Sequence, residues 1–124
     1  MSYIDDSWQV EFTDEFARWW DDLTEAEQES VAASVQLLQR LGPGLPRPHC
    51  DTVKGSKHPN MKELRTQCQG RPLRTFFAFD PRRCAILLIG GDKTGKDRFY
   101  EQMLPLADRL YGEHLRQLAK EGLI

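Results

Sequence analysis

The sequence predicts an α+β fold: an N-terminal strand and two helices packed on an antiparallel sheet, with a helix closing the chain. Three observations predict it. Residues 13–41 carry helix-capping signals and an apolar stripe of helical period. Residues 61–91 break into three runs rich in aromatic and β-branched side chains, separated by turn residues. Residues 99–118 then revert to helical spacing. With 124 residues, the whole chain (1–124) is expected to form a single domain.

In order, Trp8-Gln-Val-Glu-Phe12 alternates apolar and polar residues, as a half-buried strand does. Thr13 is placed to cap a helix whose first turn is acidic, and Thr24 with Glu27 forms a second capping pattern. Val31, Val35, Leu38 and Leu41 then fall on one stripe that Gly42-Pro43 ends. This reads either as a helical hairpin or as one long helix bent near Leu23–Thr24. Residues 42–60 hold four of the seven prolines and three of the nine glycines, which predicts a long irregular loop. "MKELRT", "PLRTFFAFD" and "CAILLIGG" are the three meander strands, with Asp80-Pro81-Arg82-Arg83 as a tight connection. In the last helix, Pro105 predicts a kink or restart.

Composition narrows the class. The chain is 40% hydrophobic and 29% charged, the signature of an ordinary globular protein. It has no apolar run near the roughly 18–20 residues that cross a bilayer. Its acidic N-terminal stretch does not resemble a secretory leader, so a cytoplasmic location without membrane contact is expected. Cys50, Cys68 and Cys84 are expected to be free thiols. The net charge of −2 conceals a division: −8 over residues 1–41, +7 over 42–98 and −1 over 99–124. A positive face suited to phosphate is expected opposite an acidic helical one.

The run "GGDKTGKD" (90–97) fits seven of the eight positions of a nucleotide-binding loop. Asp97, however, stands where that loop needs a hydroxyl for the metal, and a meander precedes it where a parallel sheet would be required. His49, Cys50, His58, Cys68 and Cys84 show no metal-ligand spacing, and no nucleophile signature occurs, so no metal or cofactor is expected. What remains is a basic stretch: Lys54, Lys57, Lys62, Arg65, Arg71, Arg74, Arg82, Arg83, Lys93, Lys96 and Arg98.

The element order, with "ELR" (63–65), "RTFFAFD" (74–80), the apolar last strand and a Lys-bearing loop leading to "RFYEQMLPLADRLY" (98–111), resembles the RelE/ParE superfamily of bacterial type II toxins. It resembles the HigB-like branch most. That resemblance implies a RelE-like fold and a ribosome-dependent endoribonuclease that cuts mRNA. It also implies neutralisation by a cognate helix-turn-helix, HigA-like antitoxin, through which alone the toxin would reach operator DNA. By position, Arg65, Arg74, Lys93 and Tyr100 match the family's catalytic residues. Lys54, Lys57, Lys62, Arg71, Lys96 and Arg98 are expected to bind RNA.

Cleavage without a metal needs a base at the 2′-oxygen, an acid for the leaving 5′-oxygen and positive charge on the phosphorane. A guanidinium suits phosphate, which favours Arg74 as the grip, with Arg65 and Lys93 adding charge. Tyr100 would need cationic neighbours to act as a base, but serves readily as an acid or a stacking surface. Glu63 shares a face with Arg65, either as a second candidate base or as its ion-pair partner. Two alternatives remain open: a ParE-like inhibitor of DNA gyrase, and a non-catalytic domain binding nucleic acid or protein.

Overall fold

The computed structural model describes residues 7–124. The expectation about a leader falls partly on residues 1–6, outside the described residues. The elements are β1 (Val10–Phe12), α1 (Asp14–Asp21), α2 (Glu25–Leu41), a 3-10 turn (Gly42–Gly44), β2 (Cys50–Thr52), β3 (Lys62–Cys68), β4 (Arg71–Phe79), β5 (Ala85–Asp92) and α3 (Phe99–Lys120). The α+β class is the one the sequence predicts, and the order of elements is the expected one with a strand, β2, added within residues 42–60.

The capping signals resolve the open choice at Leu23–Thr24 in favour of a hairpin of two helices. Thr13 Oγ1 accepts the Phe16 N–H at 3.0 Å and donates to the Leu88 carbonyl at 2.6 Å, so one hydroxyl both starts α1 and ties it to β5. Thr24 and Glu27 close the reciprocal box that starts α2. Val31 and Leu38 from the predicted stripe are buried, whereas Leu41 at its end is exposed.

The sheet runs β1-β5-β4-β3-β2. Two features differ from expectation. β1 joins the sheet itself, parallel to β5, and makes it mixed. The 42–60 segment is not wholly irregular: Cys50–Thr52 pairs antiparallel with β3. Only Thr52 of its three residues has notable strand propensity, and it is the free edge of β3 that supplies their hydrogen-bond partners. The β3–β4 connection is Gln69-Gly70, both with positive φ (52° and 79°), as a two-residue hairpin turn requires. α3 runs through Pro105 without a break. The ring lies on the exposed side, where water can satisfy the freed Glu101 carbonyl, while buried Leu104, Ala107, Leu110 and Tyr111 hold the helix to the sheet.

Strand alternation gives the sheet two packed faces. Leu64, Cys68, Leu73, Phe77 and Leu87 pack under α1 and α2; Met61, Phe76, Ala78, Ile86 and Leu88 pack under α3. The glycine pair of "GGDKTGKD" belongs to this packing. A Cβ on Gly90 would stand 2.3 Å from the Trp19 ring on the α1 side, and one on Gly91 would stand 2.9 Å from the Phe99 ring on the α3 side. The glycines thus bring an aromatic ring against each face of β5. No helix among the described residues is long and apolar enough to cross a membrane. All three cysteines are buried free thiols, with burial, the largest effect on it, raising Cys84 to about 11.

Gly90→Ala should therefore lose about 1–3 kcal/mol of stability, since Trp19 or the strand must move to admit the methyl group. Chemical denaturation measures it, and an unchanged midpoint would show that Trp19 yields freely.

Candidate active site

β3 and β4 place Arg65 directly opposite Arg74, and β4 and β5 place Arg74 opposite Gly91. Two like charges facing across a strand pair, with side chains about 5 Å apart, repel unless something separates them. Glu63 does so. Two residues before Arg65 on the same face, its buried carboxylate lies 2.9 Å from Arg74 Nε and 3.6 Å from Arg65 Nε. Neither Nε has an aligned hydrogen-bond acceptor among the described residues, so the charge pairing leaves both donors short of good geometry. Arg74 also donates Nη1 to the Leu73 carbonyl at 3.1 Å, which fixes the root of its guanidinium.

α3 contributes the fourth group. Phe99, seated on Gly91, stacks on Phe76 with centroids 6.0 Å apart, and the next residue, Tyr100, stands edge-on to both rings. This wedge aims the phenol at Glu63, to which it donates at 2.7 and 2.9 Å to the two carboxylate oxygens. Burial, and then the Glu63 carboxylate, push the Tyr100 pKa above the ordinary phenol value, with Arg74 opposing in part. The phenol is therefore held protonated and poised to donate. Lys93 Nζ sits 5.1 Å from the centre of the Tyr100 ring.

The 93–98 loop is fixed in place. Lys93 N–H bonds to the Pro72 carbonyl at 2.9 Å, Asp92 accepts from both Thr94 N–H and Thr94 Oγ1, and Gly95 takes a positive φ of 64°. On the other flank, an open cleft of about 510 Å³ extends over β2, lined by Arg47, Asp51, Lys54, Glu63, Arg65 and Tyr100. Asp51 bridges Arg47 at 2.6 Å and Arg65 at 3.3 Å, and the Arg47 hydrogen bond is the chief cause holding its carboxyl below the usual range.

Of the sequence-predicted residues, the structure brings Arg65, Arg74, Lys93 and Tyr100 together, with Lys54 on the rim of the same cleft. Lys57 lies three residues farther along that loop, its N–H bonded to Asp108 of α3, and its side chain is exposed. Lys96 is exposed in the 93–98 loop, and Arg98 pairs at the surface with Glu101 at 2.9 Å. Lys62 and Arg71 lie elsewhere. By alternation they share the face of Leu64 and Leu73 under α1 and α2, and Arg71 pairs with buried Glu27 at 2.9 Å. Glu63 is a secondary candidate in the sequence, although its two-residue spacing from Arg65 is the signal that places it at the centre. Arg47 and Asp51 carried no signal, because only the pairing of β2 with β3 brings them to the site. Among the described residues no three His, Cys, Asp or Glu side chains gather as a metal site would require.

This arrangement offers two guanidiniums on one buried carboxylate, a protonated phenol that donates to it, and a third cation over the phenol ring. Residues 18–112 match the family described as phage-derived protein Gp49-like (DUF891). The chain belongs to that family, in the HigB-like branch of the RelE/ParE toxin superfamily. It is 46% identical over 93 residues to the candidate toxin HigB3 of Mycobacterium tuberculosis (strain ATCC 25618 / H37Rv), covering 74% of this chain and 80% of that one. It is 45% identical over 101 residues to the candidate toxin HigB2 of the same organism, a match spanning 80% of this chain but half the length of that relative. Its fold is like that of a chain in the crystal structure of the intact E. coli RelBE toxin-antitoxin complex, with a TM-score of 0.53, 10% identity and coverage of 68% and 95% of the two chains.

The geometry predicts that Tyr100 titrates above the ordinary tyrosine value and that Glu63→Gln lowers it. NMR of labelled tyrosine ring carbons reads both, with Tyr111, raised by its own burial, as the reference that does not move. A Tyr100 that titrates normally would contradict the Glu63 contact.

Proposed function

We propose that this chain is the toxin of a toxin–antitoxin system and acts as an endoribonuclease on mRNA at the ribosome, without a metal. The observation that carries the reading is the convergence of Arg65, Arg74 and Tyr100 on Glu63, with Lys93 over the Tyr100 ring, beside the cleft over β2. In this mechanism Arg74 grips the scissile phosphate, and Arg65 and Lys93 stabilise the charge that grows on its oxygens. Glu63 takes the 2′-hydroxyl proton, the 2′-oxygen attacks phosphorus, and Tyr100 protonates the departing 5′-oxygen. The products are a 2′,3′-cyclic phosphate and a 5′-hydroxyl. The direct Tyr100–Glu63 contact at 2.7 Å then offers a path for the proton to return from the acid formed to the phenolate.

The raised Tyr100 pKa supports the acid role and counts against that residue as the base in the free protein. The names of the curated relatives support the toxin reading, and the RelBE complex supports an antitoxin as partner. The same reading takes that partner to be a helix-turn-helix protein, places operator DNA in contact with the antitoxin alone, and puts the pair in the cytoplasm.

Induced without an antitoxin, the wild-type chain should arrest growth and leave transcripts cut within translated regions. Arg74→Ala should lower cleavage by about 10²–10³-fold and restore growth while remaining folded. A folded Arg74→Ala protein that stays fully toxic would overturn the phosphate-gripping role. Growth arrest with DNA damage and intact transcripts would point to gyrase in place of RNA.

A further inference from the structure

The register of the sheet sets like charges against one another twice. Asp51 on β2 is the direct partner of Glu63 on β3, so two carboxylates face each other on one side of the sheet, about 5 Å apart at their roots. Two residues along β3, Arg65 faces Arg74 in the same way. Like charges directly opposite are destabilising, and the four groups pair diagonally across the strands instead. Arg74 Nε lies 2.9 Å from Glu63, and Arg65 Nη2 lies 3.3 Å from Asp51. The contact along the strand, from Arg65 Nε to Glu63, is longer at 3.6 Å and carries no aligned hydrogen bond. Arg65 thus gives its hydrogen bond to Asp51, which competes with Glu63 for it.

Asp51 is itself held from both sides. Arg47 bonds to its Oδ2 atom at 2.6 Å, the Thr52 N–H bonds to its Oδ1 atom at 2.9 Å, and the Arg47 contact keeps the carboxyl ionised. The groups facing Glu63 are therefore Arg65 on its own strand, Arg74 from β4, Tyr100 from α3 and Asp51 from β2. Lys93 stands over the phenol ring, and Arg47 and Lys54 line the same cleft. Of these groups, Asp51 alone is an anion.

We propose that Asp51 is a positioning residue that keeps Arg65 from closing on Glu63. Arg65 then stays turned to the cleft, where an RNA phosphate would meet it, and Glu63 keeps one close guanidinium in place of two. A carboxylate gripped by two guanidiniums is held ionised and is a poor proton acceptor, whereas one relieved of a cation accepts more readily. The part this gives Asp51 in turnover rests on the endoribonuclease reading above, with Glu63 as the base.

Asp51→Asn removes the charge while keeping the side chain's size and the acceptor for the Thr52 N–H, and two measurements on the folded variant test the proposal. The first needs no RNA: by NMR the Arg65 Nε–H signal should move as the guanidinium closes on Glu63. Asp51→Glu, which restores the charge, should return it toward the wild-type position. The second follows mRNA cleavage on programmed ribosomes across pH, with wild type on the same ribosomes as the reference. Relative kcat should fall by about tenfold at neutral pH, with KM within about twofold, and the deficit should shrink as pH falls. The sign follows from the charge: a more firmly ionised Glu63 stays deprotonated further into acid, so the acidic limb of the variant moves to lower pH. A role confined to anchoring the 46–49 loop would give the same loss at every pH, and Arg47→Gln would reproduce it. That result, or an Arg65 signal that does not move in Asp51→Asn, overturns the inference. A moved signal with cleavage unchanged at every pH overturns the part given to Asp51 in turnover. A moved signal in a protein whose wild type cuts no RNA keeps the positioning and overturns the nuclease reading.

Discussion

The buried carboxylate of Glu63 is the constraint around which the site is organised. It lies between two guanidiniums that β-pairing forces opposite one another, and it accepts the phenol of the helix that covers the rest of that face. Without it, Arg65 and Arg74 would repel across β3 and β4, and Tyr100 would lose the acceptor that fixes its hydroxyl. Removing one partner of a buried pair commonly costs about 3–5 kcal/mol, because the other charge is left uncompensated. The same carboxylate keeps two cations gathered in the absence of substrate. On the proposed reading, a phosphate arriving with better geometry would find them already in place, so that little reorganisation would be needed at the moment of reaction.

The glycines at 90 and 91 determine which residue of α3 meets Glu63. Because Phe99 can lie where a Gly91 side chain would be, the first turn of α3 sits close enough for Tyr100 to reach β3 across β4. Trp19 does the same on the opposite face at Gly90, so helices press on β5 from both sides at one point. A loop that looks made to cradle a nucleotide's phosphates is therefore a packing device in its first two residues. Its Lys93, over the Tyr100 ring, is the part that turns toward the site.

Much of this was legible in the sequence for identifiable reasons. The N-cap at Thr13 and the capping box at Thr24 act through local hydrogen bonds, and they mark α1 and α2 correctly. Strand alternation put Glu63 with Arg65 and against Leu64, and the structure keeps that division. What was not legible depended on partners distant in sequence. β2 exists because β3 has an edge to offer, so Arg47 and Asp51 were invisible as site residues. Lys62 and Arg71 looked equivalent to Arg65 and Arg74 by charge, but one step of the strand period sends them to the other face, where Glu27 engages Arg71. Pro105 predicts a kink or restart, yet α3 is one helix from Phe99 to Lys120, because the ring faces solvent and burial of its neighbours outweighs one missing hydrogen bond.

The charge division between the acidic helices and the basic sheet face gains meaning from this geometry. α1 and α2 cover one side of the sheet, while Arg65, Arg74 and Lys93 converge on the other beside the first turn of α3. On the proposed reading, this division would direct a polyanion to the face that carries the candidate site, and the modest net charge of −2 conceals that direction. The most direct test follows the side-chain Nε–H signals of the arginines by NMR while a 2′-O-methylated trinucleotide is added. The account predicts that Arg74 and Arg65 shift together as phosphate displaces Glu63, while Arg71, held by Glu27 on the opposite face, stays unmoved. Shifts centred on Arg71, with Arg74 and Arg65 unchanged, would contradict it.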